Sequence, residues 1–155
     1  MHMWSVDAAF AVHPDMRSHT GGSMTLGKGS AVSVSVKQKL NTKSSTEAEL
    51  AGVNDVANVM LWTGYFLKAQ GYEWDCELKQ DNKSSILLLK NGAMSSSKRT
   101  RHINIRYYFL QDRIVKGEIK LCYCATDEMI ADFFTKPLQG AKFKKLRKLL
   151  MNLKD

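Results

Sequence analysis

The sequence contains no apolar run long enough to cross a bilayer, and no signal peptide precedes its first predicted strand. We therefore expect a soluble domain. Internal repeats, low-complexity segments and interdomain linkers are also missing, so the chain is interpreted as a single domain over residues 1–155. Within it, residues 1–3 are interpreted as a cloning remnant and residues 139–155 as a basic C-terminal helix.

Cysteine is scarce and odd in number, with only Cys76, Cys122 and Cys124. All three lie inside predicted strands. Because this pattern suits neither a disulfide framework nor a zinc site, we expect buried free thiols in a reducing compartment.

Acidic residues are outnumbered, with 15 Asp and Glu against 23 Lys and Arg, which gives a formal net charge of +8. The basic residues concentrate in residues 98–113 and 136–155, whereas the acids are scattered singly. Such an excess favours a polyanionic partner, either nucleic acid or an anionic membrane surface.

Hydrophobic periodicity predicts an α/β domain. Alternation of period two in "WSVDAAFAV" and "SMTLGKGSAVSVSVKQ" predicts three strands in an antiparallel meander, with "HPDMRSHTGG" as the first turn. A helical period then runs from Ser45 to Gly71. The remaining elements are a strand at "CELKQD", a helix at "KSSILLLKN", a basic turn, a helix at "INIRYYFLQDRIVKG", a strand at "EIKLCYC", and helices at "EMIADFFTK" and "GAKFKKLRKLLMNL". This order predicts one mixed five-stranded sheet flanked by helices.

Four carboxylates are candidates for a metal centre. Asp7 lies mid-strand among apolar residues, where an ionised carboxylate is costly unless a positive charge meets it. Asp81 ends the fourth strand, and sheet geometry can bring it beside Asp7. Glu49 and Asp132 lie in predicted helices that can start near the same edge. Gathered carboxylates repel unless cations neutralise them, and Mg²⁺ prefers such oxygen ligands. With the basic surface, this pattern predicts a metal-dependent nuclease.

Three of these acids have structural alternatives. Glu49 could complete a capping box begun by Thr46, while Glu47 could favour the helix N-terminus electrostatically. Asp81 could cap the following helix, and Asp132 could pair with Lys136 one turn later. Only Asp7 has no local structural explanation.

Five motifs carry a family resemblance: "SSTEAEL", "DNKSSI", "KRTRHINIRYYF", "GEIKLCY" and "MIADFFTKPL". In order and spacing they closely resemble the ribonuclease H domain of copia-type LTR retrotransposon Pol polyproteins. "DAAFA" and "RSHTGG" resemble that family's first strand and loop. The resemblance extends from about Trp4 to Leu150.

The resemblance implies a ribonuclease H-like fold whose first three strands are antiparallel. It also implies cleavage of the RNA strand of RNA/DNA hybrids by two Mg²⁺ ions, with Mn²⁺ as a substitute. Carried onto matching positions, the catalytic and metal-binding residues are Asp7, Glu49, Asp81 and Asp132. Glu49 is preferred to Glu47 because "AELA" is similar to the catalytic "MELMA" pattern of cellular ribonucleases H. By family geometry, Asp7 and Asp81 share both ions, while Glu49 and Asp132 hold one each.

The sequence departs from cellular ribonucleases H before its last aspartate. Their glycine- and histidine-rich loop is missing, since Cys124 and Ala125 lead directly into Thr126. His102 is the recurrent histidine of the copia-type family and could order its segment, touch phosphate or act structurally. The predicted nucleic-acid-binding residues are Asn82, Lys98, Arg99, Arg101 and His102.

The resemblance implies two partners, an RNA/DNA hybrid and the reverse transcriptase domain of the same polyprotein. It implies no membrane association, a monomeric isolated domain, and a cytoplasmic location in the virus-like particle of the retroelement. A catalytically silent tether or hybrid-binding module is the alternative, and retention of all four acids argues against it. An integrase-like core would lack a glutamate between the first two aspartates, so the presence of Glu49 favours a ribonuclease H domain over an integrase.

Overall fold

A computed structural model of the protein describes residues 2–91 and 101–154, although the side chains of residues 91 and 101–105 fall outside this description. The strands are β1 (His2–Ala9), β2 (His19–Thr25), β3 (Val32–Lys37), β4 (Cys76–Gln80) and β5 (Lys120–Tyr123). The α-helices are α1 (Ser45–Ala69), α2 (Lys83–Asn91), α3 (Arg101–Val115) and α4 (Gly140–Met151). Two short 3-10 helices, Thr126–Glu128 and Ile130–Phe134, lie between β5 and α4. None of the described helices is long and apolar enough to cross a membrane.

The five strands form one mixed sheet in the order β3-β2-β1-β4-β5. β1, β2 and β3 pair antiparallel, whereas β4 pairs parallel with both β1 and β5. The predicted α/β class and mixed five-stranded sheet are therefore confirmed. The parallel pairing places the C-terminal ends of β1, β4 and β5 at the same edge of the sheet, which is where the candidate site lies.

The main hydrophobic core lies between the sheet and α1. Trp4 and Val6 project from β1 towards α1, where Val53, Val56 and Met60 are fully buried with them. Ser44 caps the N-terminus of α1, and its hydroxyl accepts a hydrogen bond from the backbone N–H of Glu47. This cap satisfies one of the free amides at the start of the helix.

The three cysteines are free thiols, as predicted, and Cys76 and Cys124 are buried. Burial, together with the nearby charges of Asp75 and Glu77, raises the pKa of the Cys76 thiol to about 12. This thiol is therefore protonated and unreactive at neutral pH.

The strand boundaries differ from the predicted ones at three places. β1 begins at His2, which is buried and accepts a hydrogen bond from the indole N–H of Trp74, so residues interpreted as a cloning remnant belong to the sheet. β1 ends at Ala9, and the predicted inward residues Phe10 and Val12 are exposed. β2 begins at His19, within the segment predicted as a turn.

The second 3-10 helix packs directly on the face of β2 that is turned away from α1. A Cβ at Gly21 would lie 2.8 Å from the carbonyl oxygen of Ala131 and 2.5 Å from Cγ2 of Thr135. Glycine at this position therefore permits the close approach. The prediction of an α-helix over "EMIADFFTK" is wrong, because an extended residue, Met129, separates two 3-10 turns. Met129 and Ala131 are buried against the domain, and this burial favours the two 3-10 turns over a continuous α-helix.

Candidate active site

Asp7 is held on the face of β1 opposite the main core. It pairs in register with Gly21 of β2 and is 2% exposed. The hydroxyl of Thr135 donates a hydrogen bond to its Oδ2 atom, and Lys136 Nζ lies 3.5 Å from the same oxygen. The mid-strand acid therefore has partners, and both come from the segment around the second 3-10 helix.

Asp81 and Asp132 join Asp7 from two other parts of the chain. Asp81 directly follows β4, which runs parallel to β1, and Asp132 is fully buried on the second 3-10 helix. Carboxylate oxygens of the three aspartates lie within 4.8 Å of one another. The structure thus brings together three of the four acids that the sequence analysis selected, and we call Asp7, Asp81 and Asp132 the aspartate cluster.

Glu49 lies beside this cluster, near the beginning of α1. Its side chain is 5% exposed, and its Oε2 atom accepts a hydrogen bond of 3.1 Å from Nε2 of Gln80. The backbone N–H of Ala8 also donates to its carboxylate. Glu49 interacts electrostatically with Asp7 and Asp81, although the 4.8 Å grouping among the described residues contains only the three aspartates.

Burial and mutual repulsion disfavour ionisation in this site. Burial, followed by the charge of Asp7, raises the pKa of Glu49 from 4.5 to about 8. Burial also raises the pKa of Asp7, and the charges of Asp132 and Asp81 add to this effect, while Thr135 and Lys136 oppose it. A divalent cation would offset this cost, because its charge favours the ionised carboxylates.

Glu47 rather than Glu49 takes the capping role that the sequence left open. Its Oε2 atom accepts a hydrogen bond of 2.7 Å from the backbone N–H of Lys43, while its own N–H bonds the Ser44 hydroxyl at 3.1 Å. The possible capping box beginning at Thr46 is therefore replaced by a Ser44 cap, in which the Glu47 side chain accepts from the preceding residue, Lys43. Glu49 is left to point into the domain.

Gln80 is a supporting residue that the sequence analysis missed. It is fully buried at the end of β4, where its amide group binds Glu49. Its Oε1 atom accepts the backbone N–H groups of Asp81 and Asn82 at 2.8 and 3.1 Å. One side chain thus orients Glu49 and the turn that carries Asp81. The alternation in "CELKQ" carried the signal, since Gln80 shares the inward face with Cys76 and Leu78.

Two lysines neutralise Asp132. Lys136 Nζ lies 2.5 Å from Asp132 Oδ1, which confirms the pairing considered from the sequence, and Lys142 Nζ of α4 lies 2.6 Å from Oδ2. The charges of Asp132, Asp7 and Asp81 outweigh the effect of burial and raise the pKa of Lys136. Lys142 was recognised only as part of a basic helix, because its contact with Asp132 depends on how α4 docks.

The donor set of the site suits divalent cations. Hard carboxylate oxygens converge from four separate segments, and two of the acids are disfavoured as anions without an added positive charge. Mg²⁺ and Mn²⁺ prefer such ligands. The aspartate cluster and Glu49 are therefore the residues that would hold the ions.

Sequence comparison relates this chain to retrotransposon polyproteins. It is 30% identical over 146 residues to the Retrovirus-related Pol polyprotein from transposon TNT 1-94 of Nicotiana tabacum, covering 93% of the chain and 11% of that protein. It is 31% identical over 146 residues to the polyprotein from transposon RE1 of Arabidopsis thaliana, covering 92% and 10%. The Transposon Ty1-JR2 Gag-Pol polyprotein of Saccharomyces cerevisiae is 27% identical over 142 residues, covering 90% and 8%. The chain is a ribonuclease H-like domain homologous to copia- and Ty1-type Pol polyproteins.

This ribonuclease H-like domain spans about a tenth of the length of these relatives. No family model matches the chain. Among solved structures, LC11-RNase H1 in complex with an RNA/DNA hybrid superposes with a TM-score of 0.58 at 8% identity, covering 83% of this chain and 88% of that one. Prototype Foamy Virus Protease-Reverse Transcriptase gives a TM-score of 0.54 at 12% identity, covering 96% and 20%. These likenesses confirm the ribonuclease H-like fold.

The residues of the domain that were predicted to bind nucleic acid are only partly described. Lys98 and Arg99 lie outside the described residues, and Arg101 and His102 belong to the first turn of α3 with side chains outside the description. Asn82 is described and is partly exposed. Its Oδ1 atom accepts the backbone N–H of Ser85 at 3.0 Å, so Asn82 caps α2.

Proposed function

We propose that the domain hydrolyses the RNA strand of RNA/DNA hybrids, leaving 3′-hydroxyl and 5′-phosphate ends. The observation that carries this proposal is the convergence of Asp7, Asp81 and Asp132 within 4.8 Å at the sheet edge of a ribonuclease H-like fold. Retention of Glu49 beside them argues against a catalytically silent tether or hybrid-binding module.

In this mechanism, Asp7, Glu49, Asp81 and Asp132 would hold two divalent ions. Bound ions of this kind lower the pKa of a water molecule and stabilise charge on the leaving oxygen of a phosphodiester. Mg²⁺ is the expected ion and Mn²⁺ its substitute. Because Glu49 has to be ionised to act as a ligand and its pKa is raised to about 8, ion binding should release a proton and become tighter as the pH rises towards 8.

The chain itself supplies orientation and neutralisation. Gln80 fixes the carboxylate of Glu49, and the Thr126 hydroxyl donates to Asp81 Oδ2 at 3.1 Å. Thr135 donates to Asp7. These neutral donors hold the carboxylates in place while leaving other lone pairs for cations.

The substrate would be recognised mainly through phosphates and through the 2′-hydroxyls that distinguish RNA from DNA. Lys98, Arg99, Arg101 and His102 remain the proposed phosphate contacts, with Asn82 near the cluster. The hybrid bound in the related solved complex supports this substrate class. We also propose that the reverse transcriptase part of the same polyprotein is the physiological partner, in the cytoplasmic virus-like particle of the element, with the isolated domain monomeric.

Cleavage of labelled hybrids tests the proposed function. The purified domain is incubated at low salt with Mg²⁺ or Mn²⁺ and a hybrid labelled on its RNA strand, beside single-stranded RNA and duplex DNA of the same sequence. We expect cleavage of the hybrid RNA alone, and Asp81→Asn should lower the rate at least about a hundredfold, equivalent to about 2.7 kcal/mol of transition-state stabilisation.

Asp127→Asn provides the matched control, because it makes the same change of charge at an exposed position of the neighbouring 3-10 helix. It should cleave like the wild type. Equal cleavage by Asp81→Asn and the wild type would refute the assignment. Binding of the hybrid without cleavage, in either metal, would instead establish the silent binding module.

A further inference from the structure

Both oxygens of Asp132 are engaged by lysines that come from different elements. Lys136 lies four residues along the chain, and its ammonium group also lies 3.5 Å from Asp7. Lys142 lies in the first turn of α4, and among the described acids its ammonium group forms an ion pair with Asp132 alone, at 2.6 Å. Lys142 therefore joins the C-terminal helix to one side of the aspartate cluster.

Contacts that do not involve the cluster hold α4 in position. The rings of Phe133 and Phe143 stack with their centroids 5.3 Å apart, and Leu146 is fully buried. Lys145 Nζ donates to the carbonyl oxygen of Asp127 at 3.4 Å. The docking of α4 thus presents the Lys142 ammonium group to Asp132.

Lys142 is also linked to a second acid of the cluster. Its ammonium group donates to the carbonyl oxygen of Thr126 at 3.1 Å, and the hydroxyl of Thr126 donates to Asp81. The first 3-10 helix is therefore held between α4 and Asp81. Displacement of the ammonium group would loosen this connection.

A cation that binds Asp132 has to compete with these lysines. Asp132 is fully buried, so its charge requires a positive partner in every state of the protein. A divalent ion beside an ammonium group is repelled by it, and both need the same oxygen lone pairs. Lys136 pairs with both Asp132 and Asp7, so its displacement would break two ion pairs. Lys142 pairs with Asp132 alone among the described acids, and its partly exposed side chain leaves the ammonium group a path to solvent.

We propose that Lys142 occupies Asp132 until a divalent ion binds there, lowers the affinity of the site for that ion, and couples the first turn of α4 to metal occupancy. The proposal rests on the proposed function, because it takes the aspartate cluster to be a metal site. It adds a role for the C-terminal helix as a positioning element that responds to the ion.

Calorimetric titration with Mn²⁺ alone tests the proposal on the full chain. Lys142→Met should bind the Mn²⁺ ion at Asp132 about fivefold more tightly than the wild type does, because one positive charge beside a buried carboxylate has been removed. Lys145→Met is the matched control, since it removes the same charge from the same helix, and Lys145 forms no ion pair with a described acid but donates to a backbone carbonyl. Lys142→Arg, which keeps the charge, should restore wild-type affinity.

Hydrogen–deuterium exchange of the wild type provides a second readout that requires no variant. Saturating Mn²⁺ should speed amide exchange in the first turn of α4 while slowing it around Asp81. Equal Mn²⁺ affinities of Lys142→Met and Lys145→Met, or exchange in α4 that does not change with Mn²⁺, would overturn the proposal while leaving the nuclease assignment standing. Failure of the wild type to bind Mn²⁺ at all would overturn both.

Discussion

The ionisation of Glu49 should control the pH dependence of folding in the metal-free domain. Its pKa is raised to about 8, first by burial and then by the charge of Asp7. Between pH 4.5 and pH 8 the folded state therefore binds more protons at this group than the unfolded state. The free energy of unfolding should fall as the pH rises through this window and become level above it. Glu49→Gln removes the titrating group but keeps an oxygen that can accept from Gln80.

The magnitude follows from the size of the shift. A change from 4.5 to about 8 is about 3.5 pKa units, and at about 1.36 kcal/mol per unit the upper limit is about 5 kcal/mol. Water entry and rearrangement of the buried site reduce this value, and we expect about 3 kcal/mol. Between pH 5 and pH 9 the wild type should lose about that much more stability than Glu49→Gln.

Urea unfolding in EDTA, followed by far-ultraviolet circular dichroism at several pH values, measures this difference. Glu47→Gln provides the comparison, because it removes the same charge from the same helix end without touching the aspartate cluster. Because Asp7 and Glu49 interact electrostatically, the difference between the wild type and Glu49→Gln reports the titration of this pair rather than of Glu49 alone. Saturating Mn²⁺ should shrink the difference, since the ion favours ionised Glu49. Parallel stability profiles of wild type and Glu49→Gln in EDTA would refute the reasoning.

Two further predictions concern the packing that supports the site. Gly21→Ala should destabilise the domain by about 1–3 kcal/mol and lower its Mn²⁺ affinity, because the new methyl group meets the backbone beside Asp132. Gly52→Ala is its control, since there the methyl group meets only ordinary contacts at 3.5 Å and helix propensity should add about 0.5–1 kcal/mol of stability. Gln80→Leu should cost about 1–3 kcal/mol, because it leaves two backbone N–H groups unpaired, and it should weaken Mn²⁺ binding. Urea unfolding and calorimetry measure all three, and wild-type values for Gly21→Ala or Gln80→Leu would contradict these contacts.

The elements with strong local patterns could be predicted from the sequence. The long apolar stripe of α1 and the alternation of β3 led to nearly correct boundaries, because α1 buries one face and β3 has Val32 and Val34 partly buried between exposed serines. Residues 19–22 were predicted to belong to a turn because they end the turn-like stretch "HPDMRSHTGG". The two glycines of this stretch instead serve close packing, since a Cβ at Gly22 would lie 3.2 Å from Val56. Tertiary contact had overridden local propensity.

The candidate site shows the same limit. Asp7 could be selected because a mid-strand acid is costly. Its three companions were candidates from their predicted positions at a strand end and in helices, and the family resemblance assigned them their roles. The lysine partners and Gln80 could not be selected in the same way. Their roles depend on how separate elements pack together, as when Lys142 Nζ of α4 lies 2.6 Å from Asp132 Oδ2, ten positions earlier in the chain. Lysines on a basic helix and a polar residue at a strand end usually contact solvent, so neither pattern indicates a role in a buried site.

The hydrogen bond between Thr135 and Asp7 joins residues 128 positions apart in the chain. During synthesis from the N-terminus, Asp7, Glu49 and Asp81 leave the ribosome well before the segment that carries Asp132 and both lysines. Until the last fifth of the domain has been synthesised, Asp7, Glu49 and Asp81 therefore lack the positive charges of Lys136 and Lys142. Any product that terminates before this segment lacks Asp132, Lys136 and Lys142, so it cannot assemble the candidate site.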